Sequence, residues 1–534
     1  MGAVYIIVTG LALFLPLFLV IKNLFFSGEV TSPEMKLPPI PPSLPILGHL
    51  HHLKKPLHKS LARLSAAHGP ILLLRFGIRP VLSVSSADLA DECFTTNDLA
   101  FAGRPLFPSS RLTSYDHTAI PLATYGPDWN DMRRVATVEA LSGSRLAFFS
   151  DVRAEEARAL ARSLFGEFSV EGFSKVELRP RLFGLAMNVM MRVIAGKRYY
   201  GDKAGEAEAQ RFREAVKEAL SLAGASNVRD FLPGAIGWIA GRGVKRRLAR
   251  LHRYRDGFFQ GLIDEQRRKR REEEDEGAAE KEEERSHRTV ADALLTMQEE
   301  QPEKYTDRFI KALFLSLLSG GTDTVSGTVE WAMALLMNNP EKMEKARREI
   351  DDEVGSRHGR LVRESDLPNL PYLHCIIKET LRLYPIGPLL PHESLQPCKL
   401  GGYDIPRGTM LLVNVYLIQR DPKIWPEPAK FLPERFKEDI VENSYTDEQA
   451  AGTMILMKMM LPFGMGRRRC PGEALAMKEV GLVLGTLLQC FEWRRVGEDE
   501  VSMEEGSGLT MPRAHPLQAM CKPRECMIRV LSQL

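Results

Sequence analysis

The 534-residue sequence has no Cys-x-x-Cys pair, no Asn-x-Ser/Thr sequon, no repeat of fixed period, no flavin or NADPH motif and no large excess of either charge. Each gap closes off a class of protein. The seven cysteines, Cys93, Cys375, Cys398, Cys470, Cys490, Cys521 and Cys526, are odd in number and scattered. That speaks against a disulfide framework and a structural zinc site, and for a reducing compartment. A net charge of +3 leaves nothing for a dedicated nucleic-acid binder. The absence of a period removes solenoids and propellers. What remains is a composition near the globular average and enough length for a large core.

The first informative presence is "AVYIIVTGLALFLPLFLVI", Ala3 to Ile21, which carries no charge. Nineteen helical residues reach about 28 Å, close to the thickness of a bilayer core. Lys22 follows the run and nothing basic precedes it, so the positive-inside bias puts the bulk of the chain in the cytosol. A signal peptide would need a basic start and a small-x-small cleavage site, which fits poorly here. Residues 1–26 are therefore expected to be a membrane anchor. Residues 27–48 form a hinge, because five prolines in the eight positions 38–45 exclude helix and central strand. Residues 49–534 are left as one large domain. His49, His51 and His52 lack an acid or thiol partner at ligand spacing, so they are read as a polar loop.

Beyond the hinge the pattern is mainly α with small β-sheets. Amphipathic runs fall at 56–68, 151–165, 207–223 and 244–271, and β-like stretches at 71–75, 80–84 and 409–415. The basic-then-acidic segment 265–285 reads as a solvated helix end and loop.

Three stretches carry chemistry. In "PFGMGRRRCPGE", Pro462 to Glu473, a single thiol stands among three arginines and rigid or small residues, just before a long apolar helix. A helix start and Arg467, Arg468 and Arg469 favour a thiolate at Cys470. Gly464 and Gly466 are expected to let the backbone pass close to something flat and large. A dinucleotide loop is excluded, because its third glycine would stand at Arg469. Second, Phe309 to Met337 is apolar almost all round and reads as one helix through the middle of the domain. At its centre Gly320, Gly321, Thr322, Asp323 and Thr324 break the local rules, which marks either a site or helix–helix close packing at the two glycines. Third, Glu379 and Arg382 share a helix face, by default a surface ion pair.

Together these residues resemble the cytochrome P450 family. Phe463 to Gly472 is similar to its F-x-x-G-x-R-x-C-x-G haem signature. Gly320 to Thr324 is similar to its oxygen-binding helix, with Val325 in place of the usual Thr or Ser. "ETLR" at 379–382 and "FLPERF" at 431–436 resemble its charge-network segments, and "WNDMRR" its W-x-x-x-R helix. The C-terminal "FEWRRVGEDEVSMEEGSGLTMPRAHPLQAMC" resembles a plant microsomal branch holding isoflavone 2′- and 3′-hydroxylases and lignan-, indole- and herbicide-oxidising members. Gln419 stands where that branch usually has His.

The resemblance implies a single P450 fold behind an N-terminal transmembrane helix. It implies haem b on Cys470 as axial iron ligand, with Trp129, Arg133, His392, Phe463, Arg468 and Gly472 around the cofactor. Asp323 and Thr324 would deliver protons to bound dioxygen. Glu379, Arg382 and Arg435 would form a buried network beneath the haem. Ile120, Gly320, Leu389, Leu509 and Thr510 would touch a lipophilic substrate such as a flavonoid, isoflavonoid, lignan, indole or herbicide. A thiolate-ligated haem favours O–O cleavage, hence monooxygenation. Electrons would come from NADPH through a membrane-bound P450 reductase, docking on a basic face at Arg467, Arg469 and Lys478. The site would face the cytosol from the endoplasmic reticulum membrane. The competing readings are a haem-thiolate isomerase or dehydratase that does not use dioxygen, which usually lacks the acid–alcohol pair, and a non-catalytic haem sensor.

Overall fold

The computed structural model describes residues 35–168, 172–201, scattered positions between 208 and 232, 242–275, 289–355, 359–437, 460–506, 508 and 510–534. The proposed anchor at 1–26, the start of the hinge at 27–34, part of the run at 207–223, residues 276–285 of the charged segment and Leu509 lie outside the described residues. Among the described residues no helix is long and apolar enough to cross a membrane.

Helix dominates. In chain order the helices that position the site are α1 (Leu57–His68), α2 (Ala87–Phe94), α3 (Pro108–Thr113), α4 (Pro127–Ala136), α5 (Ser150–Gly166), α6 (Leu178–Ala195), α7 (Arg242–Asp275), α8 (Val290–Glu300), α9 (Asp307–Gly321), α10 (Asp323–Asn338), α11 (Pro340–Ile350), α12 (Pro371–Leu383) and α13 (Glu473–Cys490). The strands are β1 (Ile71–Phe76), β2 (Arg79–Val84), β3 (Ser174–Glu177), β4 (Leu390–Glu393), β5 (Cys398–Leu400), β6 (Tyr403–Ile405), β7 (Met410–Val413), β8 (Phe491–Arg494) and β9 (Gln518–Pro523). They make a four-stranded sheet in the order β1-β2-β7-β4, a three-stranded sheet β3-β9-β8 and the pair β5-β6. Only β2 and β7 run parallel; the other pairs are antiparallel.

The core explains the pattern. Helix α10 is buried on nearly every face between α6, α12 and α13, which is why its sequence shows no polar stripe. Helix α6 ends at Gly196, whose φ of 66° is the left-handed cap that glycine adopts without strain. The apolar run 309–337 is two helices end to end rather than one. The chain breaks at Thr322 (φ −102°, ψ −73°), whose hydroxyl turns back to the Leu318 carbonyl at 2.8 Å.

From Lys36 onward the proline-rich segment lies on the globule. Leu73 N–H donates to the Pro39 carbonyl at 3.0 Å, and Asp404 N–H to the Lys36 carbonyl at 2.7 Å. His49 is buried, with Nε2 at 2.8 Å from the Pro41 carbonyl and Nδ1 accepting from Arg75 N–H at 2.8 Å. Both ring nitrogens are therefore used in holding this segment to β1. Among the described residues no group of His, Cys, Asp and Glu is arranged to hold a metal.

Candidate active site

The loop before α13 is built by backbone constraint. Gly464 (φ 70°) and Gly466 (φ 68°) are left-handed. A Cβ on Gly466 would lie 2.4 Å from Asp98 Oδ1 and 2.8 Å from the Phe94 carbonyl, so only glycine fits. That close approach is to the end of α2 and not to a ligand, which corrects the expectation for this glycine. Phe463 lies partly buried against the core, and its carbonyl accepts the Cys470 N–H at 2.8 Å, closing the loop; the thiol is left open to solvent-accessible space. Gly472 caps α13, and a Cβ there would stand 3.9 Å from Cys470 Sγ.

The thiol's acidity is not what the sequence suggested. The protein packed around the sulfur pushes it up, although the residue itself is exposed, against the Gly472 N–H, Arg133 and Arg469, which pull it down. Arg467 instead pairs with Asp98 at 3.3 Å, and Arg468 points the other way. The protein's own charges do not make a free thiolate; a metal cation bound to the sulfur would, because coordination selects the deprotonated form.

Arg468 belongs to a second feature. Its guanidinium lies 4.7 Å from the Trp129 ring centroid and donates to the carbonyls of Ala102 and Ala123. Trp129 is buried on α4 and donates to the Ile120 carbonyl at 3.1 Å. Arg133, one turn on, lies 5.3 Å from the same ring and donates to the Arg469 carbonyl at 2.7 Å. His392 on β4 is buried, with Nδ1 2.8 Å from the Phe101 carbonyl.

The structure adds Arg104, which sequence reasoning missed. It donates to the Pro121 carbonyl at 3.0 Å, and its buried Nη1 has no partner. The only signal was a basic residue between glycine and proline in "FAGRP". Among the described residues Arg104, Arg133 and Arg468 are bonded only to carbonyls, with no carboxylate. The cost shows in their acidity. Desolvation lowers Arg104 to about 10. Desolvation, then Arg104 and Arg133, lower Arg468 to about 8. Desolvation, Arg104 and Arg468 push His392 well down. Half-buried cations with no carboxylate among the described residues, one of them with an orphaned donor, form a cradle for anionic groups. Haem b, with one iron and two propionates, fits this donor set: a sulfur on one side, a cluster of cations on the other.

At the α9–α10 junction the two readings of the glycine pair separate. A Cβ on Gly321 would sit 2.5 Å from Met190 Sδ, so this glycine serves helix packing. Gly320 is exposed in the middle of a buried helix and would meet no atom within 4 Å. Thr324 donates to the Gly320 carbonyl at 2.5 Å, and Asp323 opens α10 beside it. Ser316, one turn before Gly320, accepts the Ile120 N–H at 3.0 Å, tying that loop to α9. Met511, next to Thr510, donates to the Ile386 carbonyl at 2.9 Å, and Ile386 lies close against Gly327 of α10. Leu389 is partly buried against the cluster of Leu72, Leu74 and Leu412.

Glu379 and Arg382 are both fully buried rather than on the surface. They pair through two bonds of 2.7 and 2.8 Å, and Arg435 reaches the same carboxylate at 3.1 Å. Leu432 N–H and the carbonyls of Gln419, Pro428 and Lys430 complete the network. The basic face is less basic than expected: Arg467, Arg469 and Lys478 each face an acid, Asp98, Glu473 and Glu364, at 3.3, 2.7 and 3.7 Å.

Comparison with known proteins agrees with this geometry. The cytochrome P450 family model matches residues 38–518. The chain is 45% identical over 531 residues to the (+)-piperitol/(+)-sesamin synthase of Sesamum radiatum, covering 98% of both chains. It is 41% identical to an isoflavone 2′-hydroxylase of Medicago truncatula, covering 97% of each. Among solved structures, a zebra fish cytochrome P450 with abiraterone matches with a TM-score of 0.72 at 25% identity, over 88% of this chain and all of that one.

Proposed function

The chain belongs to the cytochrome P450 family and is a haem b monooxygenase, and from that premise we propose that it oxidises a lipophilic plant phenolic or related small molecule with electrons from NADPH through P450 reductase. The observation that carries the site assignment is the pairing of an exposed cysteine, Cys470, with the uncompensated cations Arg104, Arg133 and Arg468, beside which His392 lies. When bound, the haem supplies dioxygen activation, which a sulfur ligand favours over reversible oxygen carriage.

The chain's own residues do the rest. The Cys470 N–H bond to the Phe463 carbonyl and the left-handed glycines hold the sulfur in place. Arg104, Arg133 and Arg468 would hold the haem propionates. His392 donates its Nδ1–H to the Phe101 carbonyl, which leaves Nε2 as its second hydrogen-bonding atom beside Arg104 and Arg468. Thr324 Oγ1 holds a proton beside the open face at Gly320, and Asp323 passes protons to it. The break at Thr322 directly follows the Gly320–Gly321 pair that ends α9. Glu379, Arg382 and Arg435 lock the core beneath the Cys loop.

Substrate class rests on the relatives, which include a lignan-forming synthase and isoflavone hydroxylases, and on the apolar, small residues at Ile120, Gly320 and Leu389, with Leu509 and Thr510 carried over from the family pattern. The proposed place is the endoplasmic reticulum membrane, cytosolic side. Supporting it, exposed Ile40, Leu44, Leu47, Ile78 and Leu106 gather at one end, where Gly77 bonds to Leu47 and Arg79 to Leu106.

The test is spectroscopic and catalytic. Reduced, carbon-monoxide-treated protein is expected to show the far-red-shifted Soret band of sulfur ligation, and Cys470→Ser to lose it. With labelled dioxygen and reductase, a panel of flavonoids, lignans, indoles and herbicides is expected to yield product carrying one labelled oxygen, or a labelled water where a methylenedioxy bridge closes. Product formed without NADPH would favour the isomerase reading.

A further inference from the structure

A second cavity of about 260 Å³ lies away from the Cys loop, lined by Arg111, Leu112, Tyr115, Asp116, His252, Asp256, Arg308 and Lys311. It is bounded by α3 and the turn after it, by α7, and by the first turns of α9. Five of its eight lining residues are charged, and it is smaller than the roughly 300–1,000 Å³ of a usual ligand pocket. It suits a small polar molecule and not a flat polycyclic one.

The charges do not balance. Asp116 takes both Arg111 at 2.7 Å and Arg308 at 3.2 Å, and Asp256 takes Lys311 at 2.8 Å. Arg255, directly behind Tyr115, is 3% exposed and adds a fourth cation; its Nε has no partner, and one Nη bonds the Thr113 carbonyl at 3.3 Å. Among the described residues three cations that line the cavity thus face two carboxylates, with Arg255 behind them. Two further polar groups border the cavity: Tyr115 OH, on a residue 6% exposed whose phenol has Asp256 as its neighbour, and His252 Nδ1, which has no partner among the described residues. The two rings meet edge to face at 5.2 Å. Burial keeps Tyr115 neutral by raising its phenol, and burial with Arg255 keeps His252 neutral by lowering it. Both therefore remain available as hydrogen-bonding groups beside the excess positive charge.

The chain here is strained in a way that links the cavity to the candidate active site. Tyr115, Asp116 and His117 all have positive φ, 53°, 55° and 63°, and such residues persist only when surroundings over-determine them. Arg308 holds the turn by donating twice to the Tyr115 carbonyl, at 3.2 and 3.0 Å. A few residues on, the same loop delivers Ile120 to Ser316 and to Trp129.

We propose that this cavity is a second binding site, for a small organic carboxylate, and that its occupant alters the Tyr115–Ile120 loop and with it the affinity of ligands at the haem. The anion adds the missing negative charge between Arg111, Arg308 and Lys311, with Tyr115 OH and His252 as hydrogen-bonding partners. The binding half is independent of the haem assignment; the coupling half rests on it.

The test uses haem-loaded full-length protein, benzoate as probe and benzamide as its neutral counterpart, with calorimetry for binding. Benzoate is expected to bind saturably and benzamide at least tenfold more weakly. Arg111→Gln, at a side chain 71% exposed, and Lys311→Gln are expected to weaken benzoate at least tenfold. Asp116→Asn removes the competing carboxylate, and asparagine tolerates the left-handed turn; it is expected to tighten benzoate, an outcome that misfolding cannot imitate. Saturating benzoate is expected to change the dissociation constant of imidazole, read from the haem spectrum, by about fivefold or more. Equal binding of benzoate and benzamide, indifference to all three substitutions, or simple competition between benzoate and imidazole would each overturn the proposal. A normal carbon-monoxide spectrum alongside any of these separates its failure from that of the haem assignment.

Discussion

Glu479 of α13 is a carboxylic acid with no partner among the described residues: both oxygens are buried and unpaired there, nine residues beyond Cys470. Desolvation raises it to about 8; Arg153 pulls it down and Glu364 pushes it up. The native state therefore holds a proton that the unfolded chain, with an ordinary carboxyl, gives up near pH 4.5. Its contribution to stability is complete below that value and is lost as pH rises toward 8. Glu479→Gln is expected to remove this slope, with the variant's melting temperature above that of the parent at pH 8 and close to it at pH 5. Thermal unfolding of both proteins across that range decides it. Single residues also show where reading from sequence stops. The glycine pair was visible, but that Gly321 packs on Met190 while Gly320 looks into open space depends on which helix crosses at that point. Arg104 could not be singled out, because a lone arginine acquires meaning only when Arg133, Arg468 and His392 converge on it from three other elements.

At the scale of elements, the Glu379–Arg382 pair joins α12 to the segment 428–435, and Gln419 joins α12 to the Cys loop. Gln419 is fully buried; its Nε2 donates to the carbonyls of Leu381 and Arg382 at 3.0 and 2.9 Å, and its Oε1 accepts from Leu461 N–H at 2.9 Å. Leu461 is two residues before Phe463. Gln419→Ala strands that buried N–H, which costs about 1–3 kcal/mol. Denaturant unfolding is expected to show the loss, and haem retention on dilution to fall with it. Gln419→His, with one ring nitrogen to donate and one to accept, is expected to recover most of both. The apolar periodicity of α1, α5, α7 and α13 was legible because each buries one face or all faces. The break between α9 and α10 was not, since Thr322 is an ordinary helix residue by propensity and its turn is decided by packing on α6.

At the scale of the molecule, the apolar end formed by Ile40, Leu44, Leu47, Ile78 and Leu106 is independent of residues 1–34. A chain starting at residue 35 is expected to sediment with neutral phospholipid vesicles, and the double substitution Ile78→Ser, Leu106→Ser to leave most of it in the supernatant. A truncated protein wholly soluble before substitution would remove this surface from the account. On the other side, Arg467, Arg469 and Lys478 are already matched by acids, so docking of an electron donor there has to compete with internal pairs, each worth little at an exposed position.

The order of the motifs and the helical character of the chain were settled by sequence alone, and Cys470 was singled out there as the candidate thiol, because each is a local pattern: a Cys among glycines, a periodic apolar face, two segments of fixed composition. Charge balance was settled only by tertiary structure. Arg467, Arg468 and Arg469 are consecutive, yet folding sends one to Asp98, one into the carbonyl-lined cluster with Arg104, and one to Glu473. The potential at a buried point is a sum over groups distant in the chain, and no stretch of sequence contains that sum.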